Sequence, residues 1–137
     1  MASRSKKDLN EILVDAYDKA CAEFSVLYPN LPQPFLTCTY RSNDEQASLY
    51  AIGRTVKGRI VTNATAGNSA HNYKPSPAFD IAFVGLGNKL DWSKDLFEKF
   101  AEIIIKIQPL IEWGGGWKFV DRPHFQLKDW RKYIHAV

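Results

Sequence analysis

Two compact motifs hold most of the chemistry in this sequence. Ser69-Ala70-His71-Asn72-Tyr73 runs on to Ala78-Phe79-Asp80, and Asp121-Arg122-Pro123-His124-Phe125 follows some forty residues later. Two neutral imidazoles and one carboxylate (His71, His124 and Asp80) make the ligand set of an open catalytic zinc site. Such a site uses three protein ligands and leaves the fourth position for water. An all-oxygen set would suggest Mg²⁺ or Ca²⁺ instead. Asp121 stands three residues before His124, where a carboxylate could serve as base toward that water. The chain has 3 histidines, and two of them fall in these motifs.

Each residue has a plainer reading when taken alone. His71 reads as a loop histidine, His124 as a hydrogen-bonded strand histidine, and Asp121 as a turn residue in Asp-Arg-Pro. Asp80 is sharper. A carboxylate inside Ala78-Phe79-Asp80-Ile81-Ala82-Phe83 is costly unless it is paired or bound to a metal, or lies on a solvated outer face. Strand alternation puts it opposite Phe79 and Ile81. The joint pattern carries the metal reading. Arg41 could steady a carbonyl oxygen as it becomes an oxyanion, although alone it reads as a surface arginine. Ser69 is better suited to orienting the His71 loop than to nucleophilic attack. Gly114-Gly115-Gly116 lacks the Gly-Lys-Ser/Thr ending of a phosphate loop. Trp113 and Trp117 beside it read as core or cleft-wall aromatics.

The elements that must position these groups are legible from periodicity. Apolar residues from Leu9 to Phe24 recur at three- and four-residue spacing and predict a helix over 8–27. Prolines 29, 32 and 34 stop it. Residues 35–40 read as a strand. Ser42 and Glu45 form a Ser-x-x-Glu capping box that opens a second helix, ending near Gly53. Residues 54–67 read as a loop or loose hairpin, and 79–84 as a strand. Asp91 can cap a third helix over 92–107. Residues 113–117 read as a tight bend, 124–127 as a last strand, and the end as a polar-aromatic tail in which His135 has no metal role. Helices with a mainly antiparallel sheet predict an α+β fold.

The 137 residues suit one domain over 1–137, and 45% hydrophobic content suits one packed core. The apolar runs are too short to span a bilayer, and the basic start lacks the apolar stretch of a signal peptide. Synthesis in the cytoplasm is therefore expected. A net charge of +3, with both signs interspersed, does not argue for nucleic acid. Cys21 and Cys38 both have apolar neighbours and read as reduced core residues.

At these motifs the chain resembles the zinc D-alanyl-D-alanine carboxypeptidase and L-alanyl-D-glutamate endopeptidase family. The likeness is nearest to the small peptidases among phage endolysins, and it covers roughly residues 35–127. Thr39-Tyr40-Arg41-Ser42, Gln46, Leu49-Tyr50 and Gly53-Arg54 match the family's arginine-bearing segment. Ser69-x-His71 with Ala78-Phe79-Asp80 matches the first zinc motif. Trp113-Gly114-Gly115, Trp117 and Asp121-x-Pro123-His124-Phe125 match the last.

The resemblance implies Zn²⁺ on His71, Asp80 and His124, with Asp121 as catalytic base and Arg41 on the substrate carbonyl. Gln46, Ser69 and Trp113 fall on the substrate side. It implies a hedgehog/D-Ala-D-Ala metallopeptidase-like fold and peptidoglycan stem peptides as substrate, cut at L-alanyl-D-glutamate. D-alanyl-D-alanine cleavage, or a zinc-containing envelope-binding module without hydrolysis, are the alternatives. It also implies a monomer without a separate wall-binding domain or stable membrane insertion, acting on the wall after release. One departure stands out. Eight residues separate His71 from Asp80 where relatives usually have six, and a loop can bulge outward by two residues at little entropic cost.

Overall fold

A computed structural model describes residues 2–134; His135 lies outside the described residues. Helix α1 (Glu11–Leu27) is capped by Asn10, whose side chain accepts from the Ile12 N–H. It buries Leu13, Ala16, Tyr17, Ala20 and Phe24 along one face, as the spacing predicts. Strand β1 (Gln33–Cys38) begins two residues earlier than expected. Helix α2 (Asn43–Ala51) opens on the Ser42/Glu45 capping box in both directions.

Strand β2 (Ala78–Val84) is the hub of the sheet. The short β3 (Leu90–Asp91) pairs with its end. Helix α3 (Lys94–Ile107) is entered through Ser93 rather than Asp91. Asp91 instead accepts from the Ser93 N–H. Strands β4 (Ile111–Trp113) and β5 (His124–Leu127) complete the sheet. The order is β1-β2-β5-β4, with β3 on β2, and every pairing is antiparallel.

The pleat divides the sheet into two chemistries. Phe79, Ile81, Phe83, Phe125 and Leu127 join residues of α1 and α3 in one buried core. Phe125 stacks on Phe79 at 5.4 Å and meets Phe100 of α3 edge-on at 5.4 Å. Because side chains alternate across a strand, Asp80, His124 and Gln126 take the opposite face. Cα pairing sets Cys38 and His124 on either side of Asp80, and Glu112 opposite Gln126.

The segment before α1 straps the back of this arrangement. Ser3 exchanges backbone hydrogen bonds with Thr39 and Tyr40, just past β1. Asp8 and Asn10 do the same with Ser76, in the loop between His71 and Asp80. That loop therefore does not bulge outward as a whole. Lys74 and Pro75 are exposed, but Ser76 is fully buried and its hydroxyl donates to the Ala78 carbonyl at 2.7 Å.

Candidate metal centre

His71 sits in a single 3-10 turn (Ala70–Asn72) capped by Ser69, whose hydroxyl accepts from the His71 N–H. Asn72 locks the turn. Its side-chain oxygen accepts from the Gly67 and Ser69 N–H groups, and its amide donates to the Arg41 carbonyl. The turn thereby sets the buried His71 ring against β2. Asp80 and His124 arrive from paired positions on β2 and β5.

Three ligand atoms converge. His71 Nε2 lies 3.1 Å from Asp80 Oδ1, His124 Nδ1 lies 3.0 Å from the same oxygen, and the two nitrogens are 3.2 Å apart. The far side of each ring settles which nitrogen is offered. His71 Nδ1 is 2.9 Å from the Thr39 carbonyl, which only accepts, so Nδ1 carries a proton. His124 Nε2 is 2.7 Å from Gln126 Oε1. Both rings therefore turn their remaining nitrogen toward the carboxylate.

The set fits a small divalent ion. A tetrahedral ion with arms of about 2.0 Å holds its ligands about 3.3 Å apart, close to the triangle observed. Cys38, His71 and Asp80 form a second set of potential ligands. Cys38 Sγ, however, faces His71 Nδ1 at 3.5 Å, the nitrogen already engaged by Thr39. His71, Asp80 and His124 are thus the three that turn their free ligand atoms toward one another.

Electrostatics agree with this geometry. Burial alone would depress the basicity of His71, but the Asp80 carboxylate overturns that and raises it. Burial likewise would raise the Asp80 carboxyl, yet the two imidazoles hold it well below the usual carboxylate range. Asp121 behaves oppositely. Burial and then the neighbouring Asp80 charge push its carboxyl up, against His124, His71 and Arg41.

The triad lies in a cleft of about 750 Å³ that also takes in Arg41, Ser69, Trp117, Asp121 and Trp130. Arg41 Nη2 is 3.8 Å from Asp80 Oδ2. Two expected substrate-side residues are not in the cleft. Gln46 is fully buried; its Oε1 accepts from Arg41 Nη1 at 3.0 Å and its Nε2 donates to the Ala64 carbonyl at 2.8 Å. It holds the arginine from behind and no substrate can reach it.

Trp113 stacks on Phe125 and donates through Nε1 to the Arg122 carbonyl at 2.7 Å, bracing the loop that carries Asp121. Trp117, one bend later, does line the cleft, 5.2 Å from the His124 ring. Gln126 and Glu112 went unnoticed in the sequence. The two-residue spacing of His124 and Gln126 on a strand was the available signal.

The family model described as D-alanyl-D-alanine carboxypeptidase matches residues 62–127, the stretch holding His71, Asp80, Asp121 and His124. The peptidoglycan L-alanyl-D-glutamate endopeptidase CwlK of Bacillus subtilis (strain 168) is 37% identical over 100 residues, covering 67% of this chain. The match spans 59% of that relative's own length. The crystal structure of Serratia marcescens L-Ala D-Glu endopeptidase ChiX matches with a TM-score of 0.66 at 23% identity, over 97% of this chain and 92% of that one. That likeness is one of fold. By motif and sequence this chain is similar to the D-alanyl-D-alanine carboxypeptidase family of peptidases, and its fold is that of ChiX.

Proposed function

We propose that the protein is a zinc-dependent peptidase that hydrolyses the L-alanyl-D-glutamate bond of peptidoglycan stem peptides. The observation that carries this reading is the convergence of His71 Nε2, His124 Nδ1 and Asp80 Oδ1 within 3.2 Å in a cleft shared with Asp121 and Arg41. The choice of bond is supported by the sequence similarity to CwlK. When bound, zinc polarises the scissile carbonyl and acidifies a water molecule.

The chain's own residues do the rest. The Asp121 carboxylate takes a proton from the attacking water as its oxygen bonds to the carbonyl carbon, then delivers that proton to the amine nitrogen as the C–N bond breaks. Its raised basicity suits it to this exchange. The Arg41 guanidinium faces the oxygen on which negative charge gathers. Trp117 and Trp130 line the cleft and shield the substrate from bulk water. The reading extends to a monomeric endolysin-like lysin acting on the wall after its release, on the strength of the resemblance to small phage peptidases. The family description supports D-alanyl-D-alanine cleavage as the second reading.

Digestion of purified peptidoglycan, with products read by mass spectrometry, tests both. New L-alanine C-termini and D-glutamate N-termini, lost with chelator and restored by zinc, are the expected result. Free D-alanine would move the cleavage to the second bond. Asp121→Ala should lower turnover by about 10²–10⁴-fold while the protein still binds zinc. A folded, zinc-loaded protein that cuts no wall would overturn the hydrolase reading in favour of an envelope-binding module.

A further inference from the structure

The two imidazoles of the triad are held by different kinds of acceptor. His71 Nδ1 faces a backbone carbonyl, that of Thr39. His124 Nε2 faces a side chain, Gln126 Oε1, at 2.7 Å. The glutamine is held in turn, since its Nε2 donates to Glu112 Oε1 at 2.7 Å. A carboxylate only accepts, so Glu112 determines that the NH₂ end of the amide points to β4 and the carbonyl end to the histidine. His124 Nε2 must then donate, which leaves Nδ1 as a lone pair aimed at Asp80 and His71.

The sheet makes this row by register. His124 and Gln126 are two apart on β5 and share a face, and Glu112 is the cross-strand partner of Gln126. We propose that Gln126, oriented by Glu112, is a positioning residue. It fixes the tautomer and the rotation of His124 and so presents Nδ1 to the metal. The proposal rests on the metal-centre reading above. Partners of this kind around a ligating histidine typically contribute about 10–100-fold in metal affinity.

The test uses the intact chain and two readouts besides activity. One is zinc affinity by competition with a chromogenic chelator. The other is the His124 ring by ¹⁵N-resolved NMR of the zinc-loaded protein, where a hydrogen-bonded Nε2–H is expected to exchange slowly. Gln126→Met keeps the volume and removes the acceptor. It should weaken zinc binding by about 10–100-fold and speed exchange of that proton. Gln126→Glu combined with Glu112→Gln keeps an acceptor for His124 and a donor between the strands, and should return slow exchange, with affinity within a few-fold of the starting protein.

A folded Gln126→Met protein with unchanged affinity and a still-protected proton would overturn the proposal while leaving the metal centre intact. If that variant does not fold, Glu112→Leu decides. It frees the amide to turn, so weaker zinc binding is expected, and unchanged binding overturns the proposal. Failure of the unaltered protein to bind zinc would sink the metal centre and this relay together.

Discussion

A guanidinium on a flexible stem serves a reaction only if something holds it still. Gln46 does so for Arg41 from a fully buried position, while its own amide nitrogen is anchored on the Ala64 carbonyl. Gln46→Leu would leave that carbonyl and the arginine without their partner. We expect a loss of stability of about 1–3 kcal/mol, read by denaturant titration, and a kcat lowered by about 10–100-fold with a smaller change in KM. An unchanged kcat would remove Gln46 from the machinery. At this scale the sequence discloses residue type and spacing, which is why His71, Asp80, His124, Asp121 and Arg41 read as one set, and the fold brings them to one cleft. It does not disclose which way a side chain points. Gln46 therefore reads as a substrate contact, and spacing does not separate Trp113, which packs on Phe125, from Trp117, which lines the cleft.

Strands and turns convert those residues into a site. The alternation of β2 and β5 was legible because each carries a polar residue inside an apolar run. Strand β4 was hidden, being three residues long and continuous with a glycine run that reads as a bend. That bend has a definite task. The Gly114 carbonyl accepts from the Asp121 N–H at 2.9 Å, and a Cβ at Gly114 would lie 2.4 Å from the Asp121 carbonyl oxygen. Backbone cannot give way as a side-chain tip can. Gly114→Ala should therefore displace Asp121 and the start of β5, costing about 1–3 kcal/mol and most of the activity. Thermal unfolding and wall digestion would register both; a fully active variant would show that the bend does not set the position of Asp121.

The molecule as a whole divides its sheet between a core packed on α1 and α3 and a polar face that holds the cleft. The α+β class followed from patterning alone, since a buried face repeats at short range. How distant segments meet does not, and the strap of residues 3–10 could not be read from any motif. The core also governs Cys21, whose thiol burial pushes up to about 11 from an ordinary 9.0. At pH 8 about one molecule in a thousand would carry the reactive thiolate there, so alkylation in the folded state should be slow. The sign for stability follows. Between about pH 9 and 11 the unfolded chain releases this proton and the folded chain keeps it, so stability should fall as pH rises through that window. Denaturant melts across that range, compared with Cys21→Ala, would reveal it.

The strap itself has a practical side. Ser3 is tied to Thr39, whose carbonyl steadies His71, and Asp8 and Asn10 are tied to the loop that leads into Asp80. Loss of residues 3–8 would cut the backbone ties of Ser3 and Asp8 and reach the triad while leaving Leu9 and the rest of the hydrophobic core in place. A protein trimmed there would keep its helical signal while the supports of His71 and Asp80 loosened, a fault that only a probe of the cleft would reveal.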